Sequence, residues 1–351
     1  MNDYQELNLA REAMLEQSEL YRPSVFWDEA SSRLVEELRA VGLARFRSMQ
    51  TALGFFVPTY GAPGNGFSQE QSDAVLESFH DRFADAKKPQ LALGQFLSGQ
   101  LSALSDYRVL LAADDPQALP HLHRFSESQF GDPPEHFEFD GRRFSRSSLN
   151  YLLGLALLKR HLKGDVIRTV LEIGGGFGTL GEILCTAGLE GLRYVDIDIP
   201  PTSFVAQNYL GNVLGQGNVA TFAQTAGATS IDIAALPTAS VLCSWQIEKL
   251  KGQVDLFVNF ISFQEMEPHI VENYLGHVNR LGTRWILLRN LREGKQLRKQ
   301  GTVGVERAIL GDDYLAMLPE FRLVERGVFP FGYRTVDGFH SELLLLRRRE
   351  K

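Results

Sequence analysis

Val170-Leu171-Glu172-Ile173-Gly174-Gly175-Gly176-Phe177-Gly178 is followed by Tyr194-Val195-Asp196-Ile197-Asp198. The first stretch is an apolar run that reads as a buried strand, breaks into glycines and enters a helix. The second reads as another apolar strand, this one ending in carboxylates. Such a layout grips an adenosine-type cofactor. Glycines let the backbone pass close to the ligand, and a carboxylate beyond the second strand accepts hydrogen bonds from ribose hydroxyls. The chain is therefore an enzyme candidate with its pocket at this turn.

Outward from that turn, strand patterns recur at 168–173, 192–197, about 239–245, 255–260 and 284–289, with helical patterns between them. Ile270, Val271, Tyr274, Leu275 and Val278 form one apolar face of a helix that follows Pro268. Phe321–Phe329 and Ser341–Leu346 read as a terminal antiparallel pair. Alternating strands and helices predict an α/β, doubly wound sheet, here closed by a hairpin. Upstream, residues 1 to about 115 look helical. Val25, Ala30, Leu34, Leu38 and Val41 lie close to one helical face, and 69–88 and 90–113 repeat that character. Gly61–Gly66 reads as a loop, Pro133-Pro134 as a linker and Asp140-Gly141 as a hairpin turn within 135–146. Ser147-Ser148 can cap a helix over Leu149–Leu162. The expected organisation is an α-helical N-terminal domain over 1–146 and an α/β domain over 147–351.

The bulk composition fits that picture. With 351 residues there is room for two domains, and 44% hydrophobic with 23% charged residues is ordinary for a globular protein. A net charge of −7 argues against a general nucleic-acid binder, because phosphate repels an acidic surface. Cys185 and Cys243 both lie in apolar segments and read as core thiols. No disulfide framework is implied, and a reducing cytoplasm fits. The polar opening Met1–Glu6 is unlike a secretory signal, and no apolar run is long enough for a membrane span. His121 and His123 have no third ligand at motif spacing, so no metal is expected.

The glycine turn discriminates among cofactors. It fits G-x-G-x-G, whereas the dinucleotide pattern wants glycine or alanine where this chain has Thr179. Glu172 at the strand end would oppose a pyrophosphate on the helix N-terminus. S-adenosylmethionine carries a sulfonium and an ammonium and no phosphate, so a carboxylate beside the turn helps it. A P-loop is excluded by the missing Gly-Lys-Ser/Thr ending.

Three ordered motifs complete the pattern. They are Leu171–Gly178, then Val195-Asp196-Ile197-Asp198-Ile199-Pro200-Pro201 with Gln207 and Tyr209, then Asp255–Asn259 with Ser262-Phe263-Gln264-Glu265-Met266. Over roughly residues 147–346 the chain resembles the sugar O-methyltransferase family, a bacterial branch of the class I S-adenosylmethionine-dependent methyltransferases. The resemblance implies a Rossmann-like methyltransferase sheet. It also implies that Glu172 hydrogen-bonds the cofactor's amino group, directly or through water. Gly174, Gly176 and Gly178 would pass under the methionine and ribose. Asp198 would hold the ribose, with Asp196 the second choice. Ser244, Trp245 and Gln246 would lie near the adenine, with Asn259 ending the fourth strand at the cofactor. The helical first part would cover the acceptor or pair two subunits in a homodimer.

Chemistry in a doubly wound sheet sits beyond the carboxyl ends of the strands. Phe263-Gln264-Glu265-Met266-Glu267-Pro268-His269 occupies that place after the fourth strand. In one reading Glu265 and Glu267 grip a cationic nitrogen acceptor, such as the guanidino group of arginine, whose planar donors match carboxylates. In the other, Glu265 orients the acceptor and His269 is the general base for a sugar hydroxyl. The carboxylate pair favours nitrogen. Glu267 before Pro268 can also be a plain helix-terminal acid, and His269 a surface histidine. A non-catalytic scaffold that keeps the fold is the alternative from another class. Arg292, Lys295, Arg298, Lys299 and Arg307 make 291–311 either a solvated lid or a reader of an acceptor's carboxylate or phosphate. Among Arg142, Arg143 and Arg146, one could pair with the cofactor's carboxylate.

Overall fold

A computed structural model describes residues 3–299 and 304–350. The first part is helical: α1 (Gln5–Leu15), α2 (Val25–Val41), α3 (Gln50–Phe55), α4 (Gln69–Arg82), α5 (Lys87–Leu97) and α6 (Gln100–Ala113). A hairpin of β1 (Phe137–Phe139) and β2 (Arg142–Phe144) leads into α7 (Arg146–Leu162). The remainder runs β3 (Thr169–Ile173), α8 (Thr179–Thr186), β4 (Arg193–Asp198), α9 (Thr202–Leu214), β5 (Val219–Ala220), α10 (Phe222–Thr225), β6 (Ile231–Asp232), β7 (Ala239–Cys243), β8 (Leu250–Lys251) and β9 (Leu256–Phe260). It ends with α11 (Pro268–Arg280), β10 (Trp285–Leu291), α12 (Gly311–Ala316), β11 (Phe321–Gly327), β12 (Tyr333–Arg334) and β13 (His340–Arg348).

The main sheet has the order β11-β13-β10-β9-β3-β4-β7-β5, with β12 on β13. From β10 to β5 the pairs are parallel, and β13 inserts antiparallel between β10 and β11. The expected doubly wound sheet with a closing hairpin is what the chain builds. Period-two alternation sorts the strand residues between two cores. Val170, Tyr194, Val241, Val258 and Leu287 join the layer under α7, α8 and α9. Leu171, Val195, Leu242, Phe257 and Leu288 join the layer under α11 and α12. The chain runs β3, β4, β7 outward on one side and then returns to place β9 and β10 on the other side of β3. A crevice therefore opens at the carboxyl ends of β3 and β9, the topological switch point.

The helical part is anchored to that crevice. Phe46 packs on Phe177 of the glycine turn at 5.7 Å and on Tyr209 at 6.1 Å between ring centroids. Arg47 is fully buried, donates to Glu127 at 2.8 Å and also pairs with Glu135, and its guanidinium stands 4.6 Å over the Phe177 ring. Burial alone would raise the Glu127 carboxyl, but Arg47 and His136 outweigh it and hold it at about 2. One apolar core runs across residue 146 without a break. Mostly helices precede residue 146, and the α/β elements follow it.

Local boundaries differ from the sequence expectation for identifiable reasons. Helix α7 begins three residues earlier than predicted, because Ser145 is the N-cap and forms a reciprocal capping box with Ser148. The 90–113 stretch is two helices, broken at Gly99, which sits at φ 81°. The third long strand stops at Cys243, where Gln246 accepts from the Cys243 N–H at 2.8 Å and starts a turn. The Asp140-Gly141 hairpin forms as expected, with both residues at positive φ.

Candidate active site

A cavity of about 370 Å³ fills the switch-point crevice, within the roughly 300–1,000 Å³ of small-molecule sites. Its floor is the glycine turn, Ile173 to Phe177. One wall is the end of β4 with Asp198 and Ile199, and another is the end of β9 from Phe260 to Ser262 with Glu265 and Met266. Residues from Leu53 to Gly64, together with Trp27, roof it. The helical first part therefore closes the site.

The glycines are needed where the backbone is tight. Gly174 sits at φ 72°, and a Cβ there would lie 2.1 Å from Ser262 Oγ. Gly176, at φ 64°, leaves its Cβ position open to the cavity, with only the Phe56 carbonyl oxygen near, at 3.6 Å. Both conformations are ones side chains resist. Gly178 lies behind this surface as the α8 N-cap, with Leu210 where a Cβ would go. Thr179, the departure from the dinucleotide pattern, accepts from Ser147 Oγ at 3.1 Å and ties α8 to α7.

The three acids near the turn take different positions. Asp198 lines the cavity, accepting from the N–H of Ile199 at 2.7 Å and of Gly176 at 3.2 Å. Burial pushes its carboxyl up to about 7 against those two hydrogen bonds. Asp196 lies fully buried beneath Gly175, accepts from its N–H at 3.2 Å, and has one oxygen without a partner. Burial, with Glu172 and Asp198 nearby, raises its carboxyl well above the usual range. Glu172 is fully buried between two phenols, Tyr151 at 2.6 Å and Tyr194 at 2.5 Å, and burial raises it to about 7. Its neighbour Tyr151, not Glu172, faces the cavity.

Other residues named from the sequence hold the walls up instead of lining them. Asn259 donates to the Ile173 carbonyl at 2.9 Å and to Ser262 Oγ at 2.6 Å, clasping the ends of β3 and β9. Ser244 donates to the Tyr21 carbonyl at 2.7 Å, Trp245 stacks edge-on against Phe222, and Gln246 spans Cys243 and Thr225. None of these four lines the cavity.

Of the acceptor-side candidates, only Glu265 lies at the cavity. It is buried, and it accepts from Lys295 Nζ at 3.0 Å and Trp27 Nε1 at 3.2 Å. Glu267 has other partners: its oxygens take the N–H groups of Glu306 and Arg307 at 2.9 and 3.1 Å, so it pins the loop that follows residue 303. His269 is exposed on the first turn of α11, outside the cavity. The reason is the helix start at Pro268, which turns both side chains outward just as the plain helix-terminal reading allows. Within the basic segment 291–311, Lys295 reaches Glu265 and Arg292 reaches Glu342 at 2.8 Å, while residues 300–303 lie outside the described residues.

Sequence reasoning passed over Asn150, Ile261 and Trp27, and gave Ser262 no role of its own. Ile261 sits at φ 75°, a strained conformation for a β-branched residue, directly after β9. No periodicity announces such a position. Trp27 is sent to the site by tertiary packing of α2, which the sequence does not declare.

No family model matches the sequence, and no curated relative matches it. Among solved structures the chain is similar to magnesium protoporphyrin IX methyltransferase from Synechocystis with bound SAM. Identity is 15%, over 58% of this chain and 81% of that one, at a TM-score of 0.39. The mitomycin 7-O-methyltransferase MmcR is matched at 12% identity over 97% and 76%, TM-score 0.35. The glycopeptide N-methyltransferase MtfA is matched at 13% over 56% and 92%, TM-score 0.36.

Proposed function

We propose that the chain is an S-adenosylmethionine-dependent methyltransferase acting on a small molecule. The observation that carries this reading is the juxtaposition of Asp198 with the open, positive-φ turn at Gly174 and Gly176 in one cavity. The donor set suits a cationic nucleoside. Gly174 and Gly176 leave room for a ligand against the backbone, Asp198 offers a carboxylate to ribose hydroxyls, and no phosphate-binding nest is required. The bound cofactor would supply an electrophilic methyl group on sulfur. The residues of this chain position the acceptor and keep water out beneath the roof of residues 53–64.

For the acceptor, the nitrogen reading is retained in altered form. The pair it was built on is not assembled, since Glu267 is engaged elsewhere. The hydroxyl reading loses its histidine base, because no histidine is among the described residues that line the cavity. A neutral amine nitrogen needs only positioning, whereas a guanidinium must also give up a proton as the methyl is transferred, and Glu265 at the cavity is the carboxylate that would take it. Glu265, kept in place by Lys295 and Trp27, is the carboxylate available to hold a guanidino or amino group such as that of arginine. Sugar O-methylation with Glu265 as base is the second reading. The test is calorimetry with S-adenosylhomocysteine, followed by labelled methyl transfer to arginine-like amines and to sugars. Absence of nucleoside binding would overturn the proposal, as would labelling confined to sugars for the nitrogen reading. Binding without transfer to any acceptor would leave a scaffold.

A further inference from the structure

Two guanidinium groups that the reading above leaves unused stand beside the cavity with donors unpaired. Arg146, on the cavity wall, gives one N–H to the Thr59 carbonyl at 2.8 Å, and its Nε has no partner. It is held between the rings of Tyr333 at 4.5 Å and Tyr60 at 5.6 Å. Arg289 is fully buried behind Phe260, 5.1 Å from that ring. Its Nη2 donates to the carbonyls of Asn150 and Phe331, and its Nε and Nη1 have no partner. Asn150, only 3% exposed, lines the cavity with both ends of its amide unsatisfied. Buried polar groups in a folded protein normally have partners, so a cluster of orphans on a cavity wall calls for one.

Charge points to the nature of that partner. The carboxylate whose field reaches both arginines is Asp106, and it is engaged with the Tyr60 hydroxyl at 2.5 Å. Two positive groups against one negative leave the cluster cationic. Burial would raise the Tyr333 phenol, yet Arg146 and Arg289 outweigh it and the net shift is downward. A second cavity of about 300 Å³ shares Pro58, Arg146 and Ile261 with the first. Lys295, Tyr333 and Asn290 continue its lining, and Asp337, its one acid among the described residues, is exposed. This second space lies at the β10 and β13 side of the switch point, whereas Asp198 lies on the β4 side. A nucleoside held at Asp198 therefore leaves the Arg146 side to the acceptor.

We propose that Arg146, with Asn150 beside it and Arg289 behind it, receives an anionic group of the acceptor, a carboxylate or phosphate. The guanidinium presents paired donors that match either oxyanion in bidentate geometry. The claim rests on the cofactor reading for its orientation, and it names the substrate class: a small acceptor that carries a carboxylate or phosphate and whose far end reaches Glu265. Arginine, with its carboxylate at one end and its guanidino group at the other, has this form.

The test uses inorganic phosphate as probe, titrated calorimetrically into the S-adenosylhomocysteine-saturated protein, and into the free protein as a second arm. Phosphate should bind the wild type. Arg146→Gln should weaken it at least tenfold, and Arg146→Lys should recover much of the loss, with thermal melting to confirm that both variants fold. S-adenosylhomocysteine affinity should change less than twofold. In turnover, arginine should exceed agmatine, its decarboxylated counterpart, at least tenfold in kcat/KM, and Arg146→Gln should erase that preference. Equal phosphate binding by wild type and Arg146→Gln, or none by the wild type, overturns the inference. So does a tenfold loss of S-adenosylhomocysteine affinity in Arg146→Gln with methylthioadenosine binding unchanged, which would assign the guanidinium to the cofactor's own carboxylate. Arg146-dependent phosphate binding by a protein that takes up no nucleoside would uphold the anion site and remove the cofactor reading.

Discussion

At the scale of single residues, the two acids of Asp196-Ile197-Asp198 differ only in where the strand ends. Asp198 is the last residue of β4 and meets the cavity, while Asp196, two residues earlier, is sealed under Gly175. Asp198→Asn should weaken S-adenosylhomocysteine roughly 10–100-fold, since a charge-assisted hydrogen bond contributes about 1.5–3 kcal/mol. Asp196→Asn should act mainly on stability. The pH dependence follows from the direction of the shift. Burial places the Asp198 carboxyl at about 7. Below that value it holds a proton and accepts poorly, so affinity should fall roughly tenfold from about pH 8 to about pH 6. The unliganded fold should move oppositely. A carboxyl raised in the folded state contributes stability present below its unfolded value and lost as pH rises through about 7, and Glu172 adds to this with the same sign. The thermal shift produced by ligand should therefore grow with pH. A pH-independent shift in the wild type, or a sloping one in Asp198→Asn, would contradict the assignment. Glu267→Gln should leave ligand affinity and turnover within about threefold, because its carboxylate serves the backbone of residues 306 and 307.

At the scale of elements, the strands, the glycine turn and the closing hairpin were legible because each is written in local apolar alternation and turn chemistry. The partners of the turn were not. Glu172 was readable as an acid at a strand end, but its two tyrosines come from α7 and the neighbouring β4, and only register brings Tyr194 across. The outward placement of Glu267 and His269 was not legible, because spacing in sequence does not fix which way the first turn of a helix faces. The element least legible is the turn after β9, where Ile261 holds φ 75° while its N–H donates to the Arg289 carbonyl at 2.7 Å. Strain of this kind costs on the order of 1–3 kcal/mol and clusters at functional sites. Ile261→Gly should therefore raise unfolding free energy by about 1 kcal/mol in urea titrations while lowering kcat, because a freer turn sets Glu265 less firmly. A variant both less stable and fully active would show that the turn is held for packing alone.

At the scale of the whole molecule, the helical part does two things: it roofs the cavity and it presents a surface. Its attachment through Arg47 is a buried charge cluster, in which removing one partner leaves carboxylates uncompensated, and Arg47→Met should cost about 3–5 kcal/mol by denaturant unfolding. The outer surface is another matter. Helices α4, α5 and α6 pack on one another yet leave Phe83 51%, Leu91 68%, Phe96 56% and Leu101 44% exposed. Single exposed apolar residues need no explanation, but a run of them on consecutive helices favours a covered surface. A second copy of the chain, placing these helices against their symmetry mates, would bury them. The expected state is a homodimer by sedimentation at micromolar concentration, and Leu91→Asp with Phe96→Asp should convert it to a monomer that still binds S-adenosylhomocysteine, since neither residue touches the cavity. A wild type that sediments as a monomer at every concentration would leave that surface bare and end the dimer proposal, while the roof formed by residues 53–64 would stand unchanged.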